Sequence, residues 1–149
     1  MQKVYFAGPL FCQAEREFNA RVTAMLEDEG YDVFLPQRDS GDIGELNLKE
    51  QEGYDSDEDV MQYIFEVDRE GVLEADLVTT VLDGRVPSEG TVIEAAIAHE
   101  HDIPVIALKT GRRVFAEGEP YNAMVWGVID EEVESPDELV EAVNRRLSN

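Results

Sequence analysis

The sequence predicts an α/β protein, one domain over residues 1–149, in which helices cover both faces of a mainly parallel sheet. Two observations carry that expectation. Strand-like apolar runs alternate with helix-period segments along the whole chain, the pattern of a sheet built from β-α-β units. The run Leu77-Val78-Thr79-Thr80-Val81-Leu82 is continuously apolar or β-branched rather than alternating, as in a strand covered on both sides. The chain is long enough for one sizeable core, and no repeat or linker divides it.

Taken in order, Lys3-Val4-Tyr5-Phe6-Ala7 reads as a first buried strand, stopped by Gly8-Pro9. Gln13 to Glu29 places Phe18, Val22, Met25 and Leu26 on one helix face, with Gly30 as its stop. Tyr31 to Leu35 is a second strand, closed by Pro36. Gln37 to Asp57 is polar and without period, which predicts a long loop of the kind that often carries function. Asp59 to Ala75 is helical through Val60, Ile64, Val67 and Leu73, with Gly71 its weak point. The third strand, Leu77 to Leu82, leads through the turn-rich Asp83–Gly90 into a helix containing Thr91 to Ala98. Pro104 to Leu108 is a fourth strand, and Met124 to Ile129 approaches a short fifth. Ser135 to Leu147 is a closing helix that opens Ser-Pro. Such sheets bind ligands beyond the carboxyl ends of their strands, so function is expected after Phe6, Leu35, Leu82 and Leu108.

Composition removes several classes of function. Acidic residues number 34 against 12 basic ones, for a net charge of −22, and Lys3, Lys49 and Lys109 are the three lysines. The acids are spread over every segment rather than gathered in a tail. No basic stripe exists to bind a nucleic acid polymer through its phosphates. No apolar run approaches the ~20 residues that span a bilayer, and no signal segment opens the chain, so no membrane partner is expected. Cys12, the single cysteine, excludes internal disulfides and makes a reducing cytoplasm the default. Placed after Leu10-Phe11, it is expected to pack rather than to react. A self-repelling surface is tolerated where salt screens it, with a Debye length of ~3 Å at molar salt. That suggests a halophile's cytoplasm; the alternative is an acidic mesophilic enzyme.

Some motifs fail on inspection. Asp55, Asp57, Asp59 and Glu66 have calcium-loop spacing, but Val60 stands where a glycine is needed. His99 and His101 face different directions with no cysteine nearby and read as surface residues, so no metal is expected. Ala7-Gly8-Pro9 is too short for a dinucleotide or phosphate loop. Carboxylates remain. Glu94 shares a helix face with Gly90, Ile97 and Ala98, where burying a charge costs several kcal/mol unless something pairs with it or uses it. One turn into the helix after the third strand, it should point into the cleft. Asp68, between Val67 and Val72, could approach the same edge. A nucleophilic acid beside a proton-handling one is the equipment for cleaving a glycosidic bond. On spacing alone, ordinary solvated acids are the alternative.

Four segments together resemble the nucleoside 2-deoxyribosyltransferase family over nearly the whole chain. They are Val4 to Phe11, Asp68, then Asp83-Gly84 with Gly90 and Glu94, and Asn122-Ala123-Met124-Val125-Trp126-Gly127. The resemblance implies a flavodoxin-like, five-stranded three-layer sandwich. It implies that Glu94 attacks the anomeric carbon of a 2'-deoxyribonucleoside, that the base leaves, and that a second base or water takes the sugar. It further implies that Tyr5 hydrogen-bonds the nucleophile, and that Asp68 contacts the base and manages its proton; a hydroxyl so placed can hold a carboxylate oriented and ionised. Gly8, Pro9, Ser88 and Gly90 would line the substrate site, with Gln37 and Asp39 as candidates for base contact. Asn122 and Met124 would be offered to the site of a neighbouring subunit in a homo-oligomer. No cofactor is needed.

One departure divides the reading. Where the transferases carry an aspartate for the sugar's 5'-hydroxyl, this chain has Ser88. Pro87-Ser88, Gly90 and Glu94 instead resemble a sister branch, the 2'-deoxynucleoside 5'-monophosphate N-glycosidases, in which a serine helps hold the phosphate and water accepts the sugar. An anion is favoured at a helix N-terminus, yet Glu89 opposes one there. Ser88 could equally be a plain helix cap. The expected function is therefore a deoxyribosyltransferase acting on small-molecule nucleosides and free nucleobases. A deoxynucleotide hydrolase is the alternative, and a non-catalytic nucleotide-binding module the alternative from another class. Exchange of the base, release of free sugar, or binding without turnover distinguishes the three.

Overall fold

Apolar runs that no water reaches become the strands, and they set the frame for everything else. The computed structural model describes residues 1–40, 57–111 and 122–148. Strands β1 (Lys3–Ala7), β2 (Asp32–Phe34), β3 (Leu77–Val81), β4 (Val105–Leu108) and β5 (Glu131–Val133) form one sheet in the order β2-β1-β3-β4-β5. Every neighbouring pair is parallel. Helices α1 (Gln13–Asp28), α2 (Pro36–Asp39), α3 (Asp57–Glu74), α4 (Glu89–Glu100), α5 (Ala123–Gly127) and α6 (Pro136–Leu147) connect them.

Strand alternation divides the core into two layers. Val4, Phe6, Leu77, Val81, Ile106 and Leu108 meet Val22 and Leu26 of α1 and Leu139 and Val143 of α6. On the other face Tyr5, Ala7, Val78 and Val105 meet Val72 of α3 and Ala95 and Ala98 of α4. Small residues on α4 let it lie close to the sheet. The strand order reverses direction between β1 and β3, which makes their carboxyl ends the crevice of the fold.

Three expectations are corrected. Met124 to Ile129 is not a strand: Asn122 caps a short helix there, its Oδ1 accepting the Met124 N–H at 2.9 Å. The fifth strand is Glu131–Val133, paired with β4. The polar stretch after Leu35 begins not as loop but as α2, with Pro36 at its first turn; 41–56, most of the expected loop, lie outside the described residues, as does Asp55 of the calcium-like spacing. Cys12 is exposed at the start of α1 rather than packed. His99 and His101 lie on the surface as expected.

Candidate active site

Tyr5 alternates onto the α3/α4 face of β1 and is fully buried. Its ring stacks on Phe34 with centroids 5.3 Å apart and planes 10° off parallel. On α3, a Cβ added at Gly71 would stand 3.1 Å from Tyr5 Cε2 and 3.3 Å from Phe34 Cδ1. That close approach accounts for a glycine inside a helix. The ring is held in place, and its hydroxyl is buried with no hydrogen-bond partner among the described residues.

Glu94 of α4 and Asp68 of α3 converge on that hydroxyl. Both are partly buried. Burial, and then the charge of Asp68, push Glu94 from its ordinary 4.5 up to about 8, while the Tyr5 hydroxyl pulls the other way. The hydroxyl is thus near enough to favour the carboxylate, yet short of a formed hydrogen bond. Asp68 is also raised by burial, opposed by a hydrogen bond from Ser40. Tyr5 is raised by burial, then by Glu94 and Asp68. Desolvation thus outweighs the help of one hydroxyl, and burial with the neighbouring Asp68 charge favours the protonated form of Glu94 near neutral pH.

The remaining expected site residues divide into two groups. Ser88 stands at the N-cap of α4, but its side chain makes no cap hydrogen bond. A Cβ added at Gly90 would meet nothing within 4 Å, so the space over the first turn of α4 is open. The turn before it is tied to β4, because Asp83 accepts from the Thr110 N–H and hydroxyl, both at 2.7 Å. Gly8 and Pro9 follow β1 at the crevice, where Asn19 donates to the Pro9 carbonyl at 2.8 Å. Gln37 and Asp39 have other partners. Gln37 bridges α1, donating to Arg16 O at 2.8 Å and accepting from Asn19 at 3.1 Å. Asp39 accepts the Leu35 N–H at 2.8 Å. Met124 and Trp126 of α5 are 80% and 71% exposed.

Ser40 was not singled out in the sequence, although it donates its hydroxyl directly to Asp68. The available signal was its place just beyond the carboxyl end of β2. A separate cleft of about 220 Å³ beside Arg38, Gly71 and Glu74 includes none of Tyr5, Asp68 and Glu94. Among the described residues no cluster of three or more His, Cys, Asp or Glu is arranged to hold a metal ion. No helix among them is long and apolar enough to cross a membrane.

Comparison with known proteins bears on this arrangement. The sequence profile of the nucleoside 2-deoxyribosyltransferase family matches residues 4–140. A search of curated protein sequences finds no match. Among solved structures, a conserved protein from Enterococcus faecalis V583 is 28% identical, with a TM-score of 0.80 and 99% of each chain covered. A 2-deoxyribosyltransferase from Bacillus psychrosaccharolyticus shares the fold at 21% identity and a TM-score of 0.72, over 93% of this chain and 90% of that one. A CMP N-glycosidase from Clostridium botulinum does so at 17% identity and a TM-score of 0.60, over 96% and 99%.

Proposed function

The chain belongs to the nucleoside 2-deoxyribosyltransferase family, and from that premise we propose that it cleaves the N-glycosidic bond of 2'-deoxyribonucleosides through Glu94 and passes the sugar to a second base. The observation that carries the proposal is the convergence of a buried tyrosine hydroxyl, unpartnered among the described residues, with two partly buried carboxyls at the switch point of the sheet. Structural groups of this kind would be paired or solvated; these are poised for proton transfer and attack.

The chemistry needs one proton on the pair. In the reactive arrangement Asp68 holds it and Glu94 is ionised. As the bond from C1' to the base breaks, its electron pair goes to the base nitrogen and Asp68 supplies the proton. A Glu94 oxygen bonds C1', giving a deoxyribosyl ester. Lacking a 2'-hydroxyl, the sugar reaches an oxocarbenium-like transition state readily. The nitrogen of a second base then attacks C1', its proton passes to Asp68, and Glu94 leaves as the carboxylate. Tyr5 approaches Glu94 from the buried side and stabilises it whenever it is ionised. Asn122 and Met124 are taken to complete the site of a neighbouring copy, a reading supported by the exposure of α5.

A second reading, hydrolysis of 2'-deoxynucleoside 5'-monophosphates, is favoured by one observation: the Ser88 hydroxyl is not spent on capping α4. The exposed Glu89 beside it counts against an anion. The test is to incubate a deoxyribonucleoside with a second free base at fixed high salt. Base exchange, its loss in Glu94→Ala, and one sugar's mass gained on the Glu94 peptide are expected. Near-normal turnover in Glu94→Ala would sink the proposal. A tenfold or greater kcat/KM preference for the monophosphate, lost in Ser88→Ala, would make the hydrolase the better name.

A further inference from the structure

Ser40 is 3% exposed, and its position is fixed by the backbone rather than by its own side chain. Its N–H donates to Pro36 O at 3.0 Å, closing α2. The two residues Gln37 and Arg38 tie that turn to α1 and β2, and Asp39 closes it on its own N-cap. Gln37 grips α1 through Arg16 O and Asn19. Arg38 donates to Val33 O at 2.7 Å, and Asp39 takes the Leu35 N–H. The hydroxyl that this anchored turn presents donates to Oδ1 of Asp68, 28 residues further along the chain.

We propose that Ser40 is a positioning residue for the reaction, occupying Oδ1 of Asp68 so that Oδ2 is the oxygen left to exchange a proton with the base. The inference rests on the proposed function for the reaction, though not for the contact. A donor fixed on one oxygen sets the carboxyl plane, and functional groups hold their geometry only when a rigid neighbour fixes their rotamer. It also favours the ionised form, making Asp68 a stronger acid toward the leaving base. The Asp68 charge in turn raises Tyr5 of β1 and Glu94 of α4, and the Ser40 hydroxyl opposes the effect of burial on Asp68 itself. Gln37 and Asp39, read from sequence as base contacts, acquire a different role here, as anchors of the turn that carries Ser40.

The experiment has an arm that needs no substrate. Asp side-chain carboxyls labelled with carbon-13 are titrated by NMR at fixed high salt, the Asp68 signal being assigned by its loss in Asp68→Asn. Ser40→Ala should raise the Asp68 midpoint by about one pH unit. Ser40→Cys, similar in shape but a weaker donor, should raise it less, and it bears the same titration if the alanine variant does not fold. In turnover, kcat of Ser40→Ala should fall roughly tenfold with KM little changed. The acid limb of its pH profile should move up with the titration. The loss should vanish when Asp68 is already Asn. An unmoved midpoint in a folded Ser40→Ala protein overturns the assignment, and so does a kcat loss that persists undiminished in the Asp68→Asn background. A wild-type protein that turns over no deoxyribonucleoside overturns the proposed function, while the titration still decides Ser40.

Discussion

Glu94 keeps its proton at neutral pH because leaving water costs it more than one hydroxyl returns, and because Asp68 already competes for the negative charge. The proposed mechanism then needs one proton on the pair, neither two nor none. The kcat/KM profile for a deoxyribonucleoside should accordingly be a bell whose alkaline limb falls near pH 8, where the last shared proton leaves. A profile that climbs through that pH to a plateau would show that both carboxyls work ionised, against the shared-proton account. Glu94 could be picked out in the sequence because the face around it is apolar. Ser40 could not, since its meaning lies in a contact with a residue 28 positions away. The ionisation state of Glu94 was equally hidden, because it depends on how near Asp68 and Tyr5 come in three dimensions.

Among the elements, β1, β3 and β4 were legible because a strand covered on both faces must be apolar along its length; β3 and β4 are buried throughout and β1 at every residue after Lys3. β5 was not, because Glu131 and Glu132 precede its one buried residue, Val133, and the strand lies at the sheet edge. The run Met124 to Ile129 misled for the opposite reason: it is apolar, but it begins inside helix α5, which Asn122 caps and in which no residue is buried. Helix α3 shows why a poor helix former can be the right residue. Alanine at Gly71 would gain about 0.5–1 kcal/mol of helix propensity. It would also press a methyl against the Tyr5 ring, which Phe34 prevents from yielding. Overpacking of this kind costs typically ~1–3 kcal/mol. Gly71→Ala should therefore lose about 1 kcal/mol in denaturant unfolding, and lose turnover as well, because Tyr5 and Asp68 move with the helix. A stability gain would mean that the ring has room.

At the scale of the molecule, a net charge of −22 opposes folding through its own repulsion. The melting temperature should climb steeply between low and molar potassium chloride as that repulsion is screened. A flat response would remove the halophile reading and leave the enzymatic one untouched. The proton held by Glu94 reaches beyond the active site. Its folded value, about 8, lies above its ordinary 4.5, so between those values the folded chain carries a proton that the unfolded chain gives up. This share of stability is whole below the lower value and is lost as pH rises through the upper one. Denaturation near neutral pH thus acidifies its surroundings. In a calorimeter the apparent heat of melting should differ between phosphate and an amine buffer, because each takes up the liberated proton with a different enthalpy. In Glu94→Gln that dependence on the choice of buffer should largely disappear.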